Sequence, residues 1–281
     1  MKRFRSYITI PTILFIGILA VSIYFLYGKL QLGLVRYFDV DEFAYLWWAS
    51  HMQQGVMPYQ DFFFYGTPGF LWFLAPIFTL FHGSDPMIVA RILMTVVFSA
   101  LVVTTSILFW EMRKSWLAAA VPLFLVFLPL PADKFLEIRP DALSLFFALL
   151  GIVLLVHVMQ TKTRAVVVAI AAFSFACSLV VQQKTLPMIG IAGICFIGWC
   201  VTVYKTHELS KHMVWRYIFA FIVGSGIVTM LTVCWLFLHA IDMNLVLYSL
   251  TRLPMEINKL GDIWKIEPTF FFYPSDIYYG V

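Results

Sequence analysis

Of the 281 residues, 62% are hydrophobic and only 12% charged, and the mean hydropathy is +0.90. That balance excludes a water-soluble domain of this size and points to repeated membrane spans. The net charge of +4 is no nucleic-acid signal, because its distribution matters more than its sum, and no nucleic-acid partner is expected.

In chain order, Met1-Lys-Arg-Phe-Arg5 precedes an apolar run from Tyr7 to Tyr27. The run is long enough to span and no small-x-small cleavage site follows it, so it predicts an uncleaved anchor with a cytoplasmic N-terminus. Further long apolar runs lie at 88–110, 116–131, 142–159, 165–182, 186–204 and 217–239. A shorter run, Thr67 to Phe81, contains Pro68, Gly69 and Pro76 and suits an interfacial or re-entrant helix rather than a span. Cys177, Cys195, Cys200 and Cys234 all fall inside apolar runs without a CxxC, and read as small hydrophobes.

Charge placement orients these spans. If 67–81 does not cross, the cytoplasmic connections carry Arg113, Lys114, Lys162, Arg164, Lys205, Lys211 and Arg216. Every acid except Glu111 and Glu208 then falls on the opposite side. The alternative topology turns the basic loops outward, against the positive-inside rule. The expected architecture is therefore an all-α integral membrane protein with about seven transmembrane helices, its first outer loop (28–87) carrying interfacial helices. Residues 1–239 form the membrane module. Residues 240–281 form an outer interfacial segment, read as the start of a longer C-terminal half.

This topology gathers four segments on one non-cytoplasmic face: the first loop, the 131–141 loop, the Gln182-Gln-Lys184 corner and the tail. In the first, Phe38-Asp-Val-Asp-Glu-Phe-Ala-Tyr45 has the Asp-x-x-Glu spacing of a capping box, with Asp39 at the N-cap, Glu42 at N3 and Gly55 ending the helix. Capping accounts for Asp39 and in part for Glu42, but does not need Asp41. Crowded acids raise one another's pKa, as general acid–base chemistry requires, so Asp41 carries the functional reading. Tyr59 and Asp61 lie in an aromatic stretch, Pro58 to Pro68, that reads either as a turn with a headgroup belt or as part of a binding surface. Glu137, Arg139 and Asp141 precede a span, where acids cap the next helix or face the first-loop carboxylates. Lys184 is either a snorkelling lysine or a partner for an anion. Charges of both signs on one face fit a phosphate-bearing lipid substrate. The six histidines are scattered over both sides and the spans, so no metal site is expected, and a divalent metal has no other support.

Asp-x-Asp-Glu-Phe-x-Tyr, then Gly-x-x-Pro-Tyr-x-Asp-Phe-Phe and Thr-Pro-Gly-Phe, resembles the first loop of the GT-C glycosyltransferases. The nearest relatives look like the polyprenyl-phosphate-sugar-dependent branch of protein O-mannosyltransferases and aminoarabinose transferases. Ile138-Arg-Pro-Asp-Ala142 and Gln183-Lys-Thr-Leu-Pro187 are similar to that branch's later short motifs, and the match covers about residues 1–205. The resemblance implies inverting transfer of a sugar from a polyprenyl-phosphate carrier to an acceptor hydroxyl on a lipid, glycan or protein. The reaction would occur on the outer face of the plasma (inner) membrane. It implies Asp41 as general base, Glu42 and Asp141 as further catalytic carboxylates, and Arg139 and Lys184 at the lipid phosphate. Asp39, Tyr59, Asp61 and Glu137 join them as substrate-binding residues. No cofactor is implied. The chain departs from the family where many relatives carry His or Glu/Lys before the first-loop proline and this chain has Phe64-Tyr-Gly-Thr67. It is also shorter than its relatives, so the alternatives are a non-catalytic transport or scaffold protein for lipid-linked sugars, or an inactive fragment.

Overall fold

A computed structural model of the chain describes residues 10–35, 39–81, 83–113, 115, 120–128, 134–162, 164–253 and 255–256. Met1–Arg5, Lys114, most of the loop before residue 134, and residues 257–281 lie outside the described residues. Helices come in the order α1 (Ile10–Val35), α2 (Val40–Gln53), α3 (Gly69–Leu74), α4 (Ile77–Leu80), α5 (Pro86–Arg113) and α6 (Ala120–Phe127). There follow α7 (Pro140–Thr161), α8 (Ala165–Val181), α9 (Leu186–Lys205), α10 (Lys211–Leu238) and α11 (Met243–Leu247). A 3₁₀ turn at Gln183–Thr185 joins α8 to α9, and a π-helical turn at Tyr248–Arg252 continues α11. Among the described residues there is no strand, only an isolated bridge between Pro58 and Phe62.

Four of these helical stretches are long and apolar enough to cross a membrane: Pro86–Arg113, Pro140–Thr161, Gln183–Lys205 and Lys211–Leu238. A 28-residue helix such as α5 reaches about 42 Å at 1.5 Å per residue, more than the ~30 Å hydrocarbon core. The other expected runs hold shorter apolar helical stretches: Thr12–Gly28 within α1, the eight residues of α6, and the 17 residues of α8. The Thr67–Phe81 run does break up, into α3 and α4 on either side of Ala75-Pro76. Its 12-residue stretch Gly69–Leu80 spans only about 18 Å, too short to cross.

The neighbour relations run α1–α5–α7–α8–α10, with α6 against α1 and α5. Helix α8 is the innermost, burying Val168, Ala171, Ala172, Phe175 and Ser178. It meets α10 closely at Gly224, where an added Cβ would run into the Ala169 carbonyl oxygen, so only glycine permits this crossing. Helices α9 and α10 instead expose Ile191, Ile194, Ile197, Ile222 and Met230, the apolar outward face that hydrocarbon requires. Short helices α2–α4, the end of α8 and the start of the tail close one end of the array. Phe70, Leu71, Leu74 and Ile77 pack there with Val181, Leu236, Ile241 and Val246.

Candidate functional site

The first side of the site is set by how α2 begins. Asp39 is extended (ψ 144°) and caps the helix, accepting from the Asp41 N–H at 2.9 Å, while its own N–H donates to Glu42 Oε2 at 3.2 Å. The capping box expected from Asp-x-x-Glu is thus present. It points Glu42 inward with Leu46 and Ala49 and leaves Asp41 half-exposed on the neighbouring face. Glu42 is completely buried and accepts from Arg91 through two bonds, Nη2 at 2.6 Å and Nε at 3.1 Å. It also accepts from the Ile138 N–H at 3.2 Å, so one carboxylate ties α2 to α5 and to the segment entering α7. Of the two roles read for Glu42, capping is evident in the geometry. Its carboxylate does not line the cleft described next.

That entering segment supplies the second side. Arg139 is extended (φ −137°, ψ 150°), as a residue before proline prefers, and Pro140 opens α7 with Asp141 in its first turn. The Arg139 guanidinium donates to Asp41 Oδ2 at 2.5 Å and to Glu137 Oε2 at 3.3 Å, and lies 4.0 Å from Asp141 Oδ2. Burial works against its charge, but Asp41, Glu137, Asp141 and Asp39 outweigh that and push its pKa up. Lys134 donates to the buried Glu137 at 2.8 Å and sits 3.8 Å from Asp39. Its pKa is likewise raised, the two acids overcoming partial desolvation.

The third side is the 3₁₀ turn after α8. Ser144, Ser178 and Thr185 form a hydroxyl knot beneath it. Ser178 Oγ donates to the Ser144 carbonyl at 2.8 Å and lies 2.8 Å from Thr185 Oγ1, which donates to the Gln182 carbonyl at 3.1 Å. The knot holds the turn so that Gln182 Nε2 donates to Asp141 Oδ1 at 3.2 Å and Lys184 Nζ lies 3.6 Å from the same oxygen. Gln183 reaches the tail, donating to the Leu250 carbonyl at 3.4 Å, so the described part of the tail shares this end.

The aromatic loop closes the fourth side. Helix α2 meets it ring to ring, Trp48 against Phe64 at 5.2 Å and Tyr45 against Phe70 at 5.1 Å. Gly69 sits directly on the end of α8, where an added Cβ would meet the Val180 carbonyl oxygen at 2.6 Å. Tyr59 is buried and donates its hydroxyl to the Gly66 carbonyl at 2.6 Å; its φ of 71° marks the turn there. Asp61 accepts from the Met57 N–H at 2.7 Å. Both residues shape the loop and neither lines the cleft.

Between these walls is a cleft of about 100 Å³. Its polar lining is Asp41, Thr67, Arg139, Asp141, Gln182, Gln183 and Lys184, and its aromatic side is Tyr45, Phe64, Tyr65 and Phe70. Asp41, Arg139, Asp141 and Lys184, read from separate segments of the sequence, therefore come together. Asp39 and Glu137 stand behind them as partners of Lys134 and Arg139. Tyr45, Thr67 and Gln182 also line the cleft, and no motif in the sequence marks them as site residues. Tyr45 is held protonated by burial, with Tyr65, Asp141 and Asp41 adding to the upward shift. Thr67 lines the cleft, and its Oγ1 is buried without a hydrogen-bond partner among the described residues. Among the described residues no cluster of three His, Cys, Asp or Glu side chains is arranged to hold a metal ion.

In comparisons with protein-family models, curated proteins and solved structures, nothing matches this chain.

Proposed function

We propose that the chain is a membrane glycosyltransferase of the GT-C type, moving a sugar from a polyprenyl-phosphate carrier to an acceptor hydroxyl with inversion. What carries the reading is the convergence of Asp41, Arg139, Asp141 and Lys184 on one cleft from three distant segments. On this reading α1, α8 and the apolar run 116–131 that contains α6 also cross, making seven spans. The basic loops face the cytoplasm and the cleft opens on the outer face of the plasma membrane.

In the reaction, Asp41 takes the proton of the acceptor hydroxyl, whose oxygen bonds to the anomeric carbon as the bond from that carbon to the carrier phosphate breaks. The electron pair leaves on the phosphate, next to Lys184. Of the two cations Lys184 is the more available, because its side chain is 72% exposed and holds Asp141 only at 3.6 Å. Arg139 already serves three carboxylates, and fixes Asp41 Oδ2 while leaving Oδ1 for the acceptor. Asp141 and Gln182 orient sugar hydroxyls, with Thr67 opposite. The test is transfer of radiolabelled sugar from polyprenyl-phosphate donors in membranes carrying the chain or its Asp41→Asn variant. Loss of transfer at unchanged protein level is expected; full activity in the variant removes Asp41 as the base.

A further inference from the structure

A second cleft lies at the far end of α8, about 25 Å away along its 17 residues. It is an open-sided groove of about 490 Å³ between the first five residues of α8 and the first four turns of α10. Its floor is Ala165, Ala169 and Ala220, small residues beside the Gly224–Ala169 crossing. Its walls follow one stripe of α10 at helical spacing, His212, Arg216, Phe219 and Val223, faced by Val166. The stripe is polar at the helix start and wholly apolar one turn further in. The groove therefore has a head end and a tail end.

The head end is cationic and unneutralised. Arg216 lines the groove one turn from His212, and Arg164 and Lys211 immediately precede the lining residues Ala165 and His212; none of these four makes an ion pair among the described residues. The adjacent acid, Glu208, is already taken up by Lys162 at 2.5 Å. Trp215, 60% exposed, stands at the same level, as an indole at a membrane–water boundary does.

We propose that this groove binds one anionic phospholipid, its phosphate on Arg216 and His212 and an acyl chain along Phe219, Val223 and Ala169. Charge complementarity selects the anionic headgroup, and the apolar continuation selects a lipid over a free anion. The inference does not depend on sugar transfer, since the groove shares no residue with the cleft at the other end.

The test is native mass spectrometry of the full chain in neutral detergent with phosphatidylglycerol or phosphatidylcholine of identical acyl chains. Retention of phosphatidylglycerol over phosphatidylcholine is expected, reduced roughly fivefold by Arg216→Gln, the effect of one basic residue at an anionic surface. Arg216→Lys should restore it. Val166→Glu, placing a like charge at an exposed wall position, should abolish the preference without lowering the melting temperature. Equal retention of the two lipids, or wild-type retention in both Arg216→Gln and Val166→Glu, overturns the proposal. So does complete displacement of phosphatidylglycerol by millimolar inorganic phosphate, or a lipid-independent dimer occupying the groove.

Discussion

The two ends of α8 treat charge in opposite ways. At the Val181 end, Glu42–Arg91, Lys134–Glu137, Arg139–Asp41 and Lys184–Asp141 leave almost every ion matched. At the Ala165 end Arg164, Lys211 and Arg216 stand without an anion among the described residues, and Arg216 lines a groove with one polar and one apolar end. Matched charges build a site by holding one another in position, and leave ligand recognition to the atoms not yet committed. Unmatched charges recognise directly. The first arrangement suits chemistry that needs fixed geometry, and the second suits a partner identified by its sign.

The comparison can be broken most sharply at the matched end. Asp41→Asn removes a proton acceptor and should lower transfer about 10²- to 10⁴-fold, read as initial rates in membranes with the melting temperature unchanged. Next is Arg91→Met, which strands the buried Glu42 carboxylate; the expected loss is ~3–5 kcal/mol, seen as a large fall in melting temperature in detergent. Pairing it with Glu42→Gln should recover much of that loss, because no ion is then left uncompensated. Gly69→Ala drives a methyl into the Val180 carbonyl, and should cost about 1–3 kcal/mol and weaken substrate binding by shifting Thr67 and Phe70. The smallest effect is that of pH. The folded-state pKa of Lys134 is raised above 10.5, so its stabilising contribution is fully present below that value and lost only as pH rises beyond it. Melting temperatures between pH 7 and 9 should carry no slope from this group; a decline there that Lys134→Met removes would contradict the pairing.

How far the sequence foretold these contrasts depends on whether a feature is local. The capping box could be read because the short stretch from Asp39 to Glu42 contains all of it, and the non-spanning nature of 67–81 because prolines and length decide it. Arg139, Asp141 and Lys184 could be grouped with Asp41 by topology alone, since loops on one face are few. The partner of Glu42 could not be found this way. Arg91 lies 49 residues on, inside an apolar run, where a lone arginine signals a buried pair without saying with whom. Ser144 and Ser178 were hidden for a related reason, because a serine in an apolar helix usually returns its hydroxyl to its own backbone. Here both instead bond across α7 and α8. Tyr59 and Asp61 illustrate the converse difficulty. A carboxylate among aromatics has the same composition whether it faces a ligand or closes a turn, and only the Met57 N–H at 2.7 Å shows that Asp61 closes one.

The pinned backbone around the cleft also sets a clock. Ile138 is held by Glu42, Gly66 by the Tyr59 hydroxyl, Gln182 by Thr185, and Gly69 by direct contact with Val180. A space of about 100 Å³ is smaller than the ~300 Å³ of ordinary ligand sites, so it must widen to admit one. With its walls fixed at four points, the freedom to widen resides in exposed side-chain ends, Lys184 and Tyr65. Such rotamer changes take picoseconds to nanoseconds, whereas lid or domain motions take microseconds or longer. If widening is confined to those side-chain ends, entry of a ligand should be limited by encounter rather than by a gate.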